Sequence, residues 1–407
     1  MCAPSLRFLP SRGKRRLGSI ITVLAIITVA PIRANAQHYV QTNLVSDIPG
    51  LATTTDPNLV NPWGLTRTQG SPWWVSDNGT GVSTLYNGAG QRFPPANPLV
   101  VTVNGASGQS APTGTVANTS TDFQLIPNTP TTASRFIFVS EDGTISGWNP
   151  SVDPTHAIIK VNHSGAAVYK GATLAQRNGA NFLYVADFFT GTVDVFDGTF
   201  APATLSAGAF NDPEIPEGFA PFNVQNINGD VYVMYAKQDE EKKDEVDGPG
   251  LGFVDRYDAN GVLLTQLRSG HWMNAPWGIA LAPDDFGQES NRLLVGQFGS
   301  GEIATFDQEH GNFHGLLKGL LGHPLTIDGL WALAFGNNAT AGPANALFFT
   351  AGIDHENHGL FGKITPAAKG KQKQLLRSEQ VVRPEMSRGK PAPLRPDDKG
   401  ERLRERP

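Results

Sequence analysis

Between residues 38 and 366 the chain alternates short apolar runs with turns rich in Gly, Asn and Asp, and the alternation repeats. Asn61-Pro-Trp-Gly-Leu65 opens one cycle and Asn274-Ala-Pro-Trp-Gly-Ile279 opens another. In each, a second run follows (Trp73-Trp74-Val75; Leu293-Leu294-Val295), then a glycine turn, then a third run (Ser83-Thr-Leu-Tyr-Asn87; Ile303-Ala-Thr-Phe-Asp307). Further copies are Phe136-Ile-Phe-Val-Ser140, Phe182-Leu-Tyr-Val-Ala-Asp187, Val231-Tyr-Val-Met-Tyr235 and Ala346-Leu-Phe-Phe-Thr350. Runs this short, rich in β-branched and aromatic residues and bounded by turn formers, predict strands.

Equivalent positions at Gly64, Gly171, Phe222, Gly278 and Trp331 are spaced by 107, 51, 56 and 53 residues. The long interval holds one further copy around Phe123. That gives six units averaging 55 residues. Self-similarity at this period, with four short antiparallel strands per unit, predicts an all-β fold: a six-bladed β-propeller. The last unit supplies three strands, while His38-Tyr-Val-Gln-Thr-Asn-Leu-Val45 has no partner in the first. It is expected to complete the last blade, closing the ring and removing an unpaired edge.

The ends differ from the body. Residues 1–36 carry Arg7, Arg12, Lys14, Arg15 and Arg16, an apolar run over 17–30, and Ala34-Asn-Ala36, the pattern of a cleaved export signal. Periplasmic or extracellular placement is therefore expected. Cys2 is the single cysteine and lies in that segment, so no disulfide, thiolate nucleophile or cysteine-bound metal is expected in residues 37–366. Residues 367–407 are basic, poor in large apolar side chains, and read as disordered. No other run is long and apolar enough to span a bilayer, so no membrane insertion is expected.

The formal charge of −5 hides a strong asymmetry. Of 32 Lys and Arg, six lie in residues 1–36 and twelve in 367–407; of 37 Asp and Glu, six lie in 367–407. Residues 37–366 thus hold 14 basic against 31 acidic groups, a net of −17. Such a body repels phosphate backbones, which argues against nucleic acid and for cations or cationic partners.

The predicted loops at one face gather the acids. Second-to-third-strand loops hold Asp77 and Asn78, Glu141 and Asp142, Asp187, the insertion with Asp239, Glu240, Asp244 and Asp247, and Asp354, Glu356 and His358. Loops entering each inner strand hold Asn61, Glu217, Asn274 and Asp328. Oxygen ligands from several blades suit a hard cation such as Ca²⁺, with Asn61, Glu141, Asp187, Glu217, Asn274 and Asp328 as candidate ligands; the same residue types also simply make turns. His355-Glu-Asn-His358 is the one close histidine pair. Trp63, Trp277 and Trp331 recur at the start of inner strands, where they either pack in the core or stack on a sugar. No nucleophile elbow, phosphate loop or dinucleotide fingerprint is present.

The strings Asn61-Pro-Trp-Gly64, Glu141-Asp-Gly-Thr-Ile-Ser-Gly-Trp148, Pro216-Glu-Gly-Phe-Ala-Pro-Phe-Asn-Val-Gln225, Ile327-Asp-Gly-Leu-Trp-Ala332 and His358-Gly-Leu-Phe-Gly362 resemble a family of exported bacterial propellers, some with a PEP-CTERM sorting tail. The sorting motif and its membrane helix are not in this sequence. More distantly the units resemble NHL repeats and gluconolactonase-type propellers, whose likeness implies one axial Ca²⁺ held by Glu, Asn and Asp. The expected function is a monomeric binding module for a ligand, glycan or protein at the acidic mouth, with Ca²⁺. The alternative is a metal-dependent lactonase, esterase or lyase with Glu141 or Asp328 as base.

Overall fold

A computed structural model describes residues 38–368, all within the compact unit Gln37–Pro407. Residues 1–36, read above as an export signal, and all but the first two residues of the basic tail lie outside the described residues. No described helix is long and apolar enough to cross a membrane.

The chain folds as predicted into antiparallel meanders. Their inner strands are Pro62–Thr66, Pro112–Ala117, Tyr169–Arg177, Phe219–Ile227, Pro276–Leu281 and Leu330–Phe335. Each lies beside the next, and the last returns to the first, so the inner strands form a closed ring about one axis. This is a propeller arrangement. Local chemistry sets the hairpins: Asn178-Gly179 and Asn228-Gly229 both take positive φ and join directly paired residues, Arg177 to Ala180 and Ile227 to Asp230. Two left-handed residues match the twist of the flanking strands, which Asn-Gly supplies at little steric cost.

Between neighbouring sheets lies a separate apolar core. Trp73 and Trp74, adjacent on one strand, point to opposite faces and enter different cores. Trp73 packs with Leu44, Phe348 and Phe361, and Trp74 with Leu85, Phe136 and Trp148. Both are nearly inaccessible, so two inter-sheet cores are anchored from a single strand.

The ring closes as the unpartnered N-terminal segment required. Tyr39–Ser46 pairs antiparallel with His358–Pro366, from Tyr39 opposite Pro366 to Ser46 opposite Leu360. Two details differ from the expected pattern. The sheet starting at Tyr169–Arg177 has three paired strands rather than four. Its outer segment carries Pro202, Pro213 and Pro216, which cannot donate to a ladder, and only an isolated bridge joins Phe196 to Pro202. The first two meanders also merge into one eight-stranded sheet, because the outer strands Val100–Val103 and His156–Asn162 pair in parallel.

Candidate functional site

Every inner strand carries a register break near its start: between Pro62 and Leu65, Pro112 and Thr115, Tyr169 and Gly171, Pro221 and Asn223, Pro276 and Ile279, and Leu330 and Leu333. A bulge bends the strand and re-aims the extra side chain. Residues at these breaks make up the axial cluster: Trp63, Phe222, Trp277 and Trp331 pack together with Phe188. Trp331 is stacked between Trp63, at 3.5 Å between centroids, and Phe298, at 4.1 Å. The ring glycines permit this close approach. A Cβ on Gly64 would run into the Thr113 carbonyl oxygen, and one on Gly278 into that of Trp331.

Two strands depart from the aromatic pattern. Thr113 stands at the break of Pro112–Ala117, and at that of Tyr169–Arg177 stands Lys170, whose side chain has no solvent exposure. Its Nζ lies 5.0 Å from the Trp63 ring and 5.9 Å from Phe188, and its carbonyl accepts from Trp277 Nε1. The ammonium donates to Glu141 Oε1 and, at 3.2 Å, to Asp244 Oδ1. Burial works against the charge, but Glu141, Glu245 and Asp244 outweigh it and hold the ammonium above the usual lysine range.

The surrounding polar groups come from several meanders. Asn78 Nδ2 donates to Glu141 Oε2 at 3.0 Å. Asn61 Nδ2 donates to Glu356 Oε2 at 2.6 Å, and Asn61 Oδ1 accepts from Trp331 Nε1 at 3.0 Å. Asp354, His355 and Glu356 take positive φ in succession, a strained turn that throws Glu356 toward the axis. The acidic insertion doubles back, with Glu245–Val246 pairing against Lys237 and Gln238, and so delivers Asp244 and Glu245 over Lys170. Burial, relieved in part by Lys170 and worsened by Glu356 and Asp244, pushes the Glu245 carboxyl up to about 8. Burial also raises Glu356.

The sequence-derived candidates divide sharply. Asn61, Glu141, Asp244 and Glu356 meet in the network around Lys170. Trp63, Trp277 and Trp331 lie buried beneath it. The remaining candidate metal ligands serve elsewhere. Asp187 accepts from Phe189 N and Thr190 Oγ1 in its own turn and from Val168 N on the neighbouring segment. Asn274 Oδ1 accepts from Gly248 N, Asp328 Oδ2 accepts from Asp354 N, and Glu217 is exposed. In the insertion, Asp239 Oδ1 accepts from Lys243 N, while Glu240 and Asp247 are exposed. His358 Nδ1 meets Asp47 Oδ2 at 2.6 Å, at the ring closure, and His355 is exposed. This arrangement lends the expected Ca²⁺ site no support. Among the described residues no group of three or more His, Cys, Asp or Glu is placed to hold a metal, and a lysine ammonium already stands between Glu141 and Asp244.

Lys170 is missing from the candidates read from sequence. A signal was present: Lys170-Gly171 occupies the place of Trp63-Gly64 and Trp277-Gly278, so a charge replaces an aromatic side chain at a repeat position facing the axis.

No family model matches the chain. It is 32% identical over 328 residues to a protein of Acanthamoeba polyphaga mimivirus described as uncharacterized, spanning 79% of this chain and 78% of that one. The chain belongs to that protein's family. The relative is viral, so kinship with exported bacterial propellers and their sorting tails receives no support from it. Among solved structures, a Bacteroides thetaiotaomicron protein of unknown function aligns with TM-score 0.50 at 10% identity, over 81% of this chain and 76% of its own. A streptogramin B lyase aligns with TM-score 0.44 at 11% identity, over 81% and 98%. At these identities the likeness concerns fold alone.

Proposed function

We propose that the protein is a six-bladed, exported binding module whose mouth receives a cationic group of its ligand. The observation that carries this is the carboxylate excess around Lys170. One buried ammonium is met by Glu141 and Asp244, while Glu245 and Glu356 lie close by, both carboxyls raised chiefly by burial and further by neighbouring carboxylates. An incoming cation relieves that repulsion and favours the ionised forms. In this reading Lys170 is the fixed cation of the mouth, in the place expected for Ca²⁺. The net charge of −17 over residues 37–366 would draw a cation toward the site.

The test is calorimetric titration with cadaverine, using neutral pentanediol as control. Cadaverine is expected to bind, and more tightly at about pH 9 than at about pH 6, because Glu245 ionises between them. Equal heats from diamine and diol, or binding that weakens as pH rises, would sink the reading.

A second reading, a hydrolase or lyase, is favoured by one feature: a carboxyl near 8 beside a lysine suits a general acid. Glu245 then takes the acid–base role assigned from sequence to Glu141 or Asp328. Glu141 is paired with Lys170 and Asn78, and Asp328 is engaged by a backbone N–H. Turnover of any member of an ester and lactone panel, lost in Glu245→Gln, supports this reading; no turnover removes it.

A further inference from the structure

At the opposite end of the axis, where the inner strands finish, a pocket of about 420 Å³ opens. It is lined by Arg67, by the polar Thr66, Gln225, Asn226 and Asn228, and by the partly exposed apolar side chains of Leu65, Leu281 and Phe335. A narrower cavity of about 30 Å³ continues toward the aromatic cluster, sharing Leu65, Gln225, Ile279 and Leu333.

Two features of this space are unsatisfied. Arg67 is half-buried and donates from Nε to the Phe335 carbonyl at 2.7 Å and from Nη2 to the Gly336 carbonyl at 2.9 Å, with the Trp73 ring 5.6 Å away. A guanidinium has five N–H donors, so three have no protein partner among the described residues. No carboxylate offsets its charge: no acidic side chain lines the pocket, and burial alone lowers its basicity. Deeper in, Thr115 is 8% exposed, lines the narrow cavity, and its buried Oγ1 has no hydrogen-bond partner. A half-buried arginine fixed by backbone carbonyls, with its remaining edge free, is arranged for an oxyanion.

We propose that this second axial pocket binds a small organic monocarboxylate, its carboxylate on Arg67 and its apolar body against Leu65, Leu281 and Phe335. The volume suits a small ligand. Leu65, Leu281 and Phe335 give a hydrocarbon body a surface to pack on, which free phosphate cannot use. The site is separate from the Lys170 mouth and independent of its reading.

The experiment uses hexanoate, hexylamine, hexanol and inorganic phosphate as probes, each titrated into the full chain by calorimetry and followed by thermal melt. Hexanoate is expected to bind with a millimolar or tighter Kd and, at about tenfold excess over that Kd, to raise Tm by about 2 °C or more. Hexanol is expected to do neither, and hexylamine binding, which belongs to the Lys170 mouth, is expected to be unaffected by Arg67→Lys. Arg67→Lys, which keeps the charge but loses the planar fork, is expected to weaken hexanoate about tenfold or more. If Arg67→Lys melts early, the wild-type comparison still decides, because hexanol lacks only the charged head. Absent hexanoate binding, equal binding of hexanol, or unchanged affinity in a folded Arg67→Lys each overturns the site. Equal stabilisation by phosphate overturns the carboxylate assignment.

Discussion

The Lys170 ammonium and the Glu141 carboxylate form an ion pair across neighbouring sheets, with Lys170 fully buried and Glu141 27% exposed. That asymmetry predicts unequal costs. In Glu141→Gln the ammonium keeps Asp244 but cannot regain water, and the loss is expected to be about 3 kcal/mol. In Lys170→Met the stranded carboxylates can rehydrate, and the new side chain fits the aromatic wall, so the cost should be less than half as large. The double variant should resemble Lys170→Met alone. Urea unfolding of the three variants checks this; equal losses in both single variants would contradict it.

Stability should fall as pH rises from about 5 to about 8. Two carboxyls have folded values raised above their unfolded ones: Glu245 from 4.5 to about 8, and Asp255 from 3.8 to about 7. Burial is the leading cause for both, and for Asp255 it is partly offset by the Tyr257 hydroxyl. Within these windows the folded state holds protons that the unfolded state has released, so each unit of pH favours unfolding. Above the folded values the contribution is constant. Melts across this range should show Tm declining. Asp255→Asn and Glu245→Gln should each flatten part of the slope, and a Tm rising through the window would refute the assignment.

The repeat, the strand runs and the unpaired N-terminal segment were legible in the sequence because each depends on local patterns: alternating apolar runs, Asn-Gly turns, and a strand without a partner. The missing fourth strand after Thr192–Asp197 was legible only in hindsight, from three prolines in one segment. The site was harder. Asp187 and Glu356 both occupy loops at the same end, yet one caps its own turn and the other reaches the axis. The difference lies in a run of left-handed residues at 354–356, which residue type does not announce. Lys170 was hidden by its position inside a strand, and only the register break at Tyr169–Gly171 aims it inward.

Ring closure should make the N-terminal strand indispensable. Tyr39–Ser46 supplies the ladder to His358–Pro366, the Tyr39 hydroxyl donates to the Phe286 carbonyl, and Ser46 Oγ donates to the Gly359 carbonyl. A chain beginning at residue 47 exposes an apolar edge strand. It is expected to lose the cooperative melt expected of residues 37–366, and an unchanged transition would show that closure contributes little. Asp47 adds a smaller, titratable tie. Its hydrogen bond raises the pKa of His358, so the stabilisation is full below about pH 6.5 and fades as pH rises through the folded value. His358→Gln should remove that dependence while leaving the fold intact.

Calcium gives the sharpest check on the mouth. A native Ca²⁺ site at a concentration of about 100 times its Kd would stabilise the fold by about 2.7 kcal/mol, enough to move Tm by several degrees. The geometry predicts no such shift. Lys170 neutralises one charge of the carboxylate group from within, Glu245 holds a proton up to about pH 8, and Asp187, Asn274 and Asp328 are committed to turns. Melts in EDTA and in Ca²⁺ should therefore coincide for the wild type. In Lys170→Met the ammonium is gone while Glu141, Asp244 and Glu356 remain, and there a Ca²⁺-dependent rise is expected. A Ca²⁺-specific rise already present in the wild type would show that these carboxylates hold a metal despite the ammonium and would overturn the assignment of the mouth to the cationic group of an organic ligand.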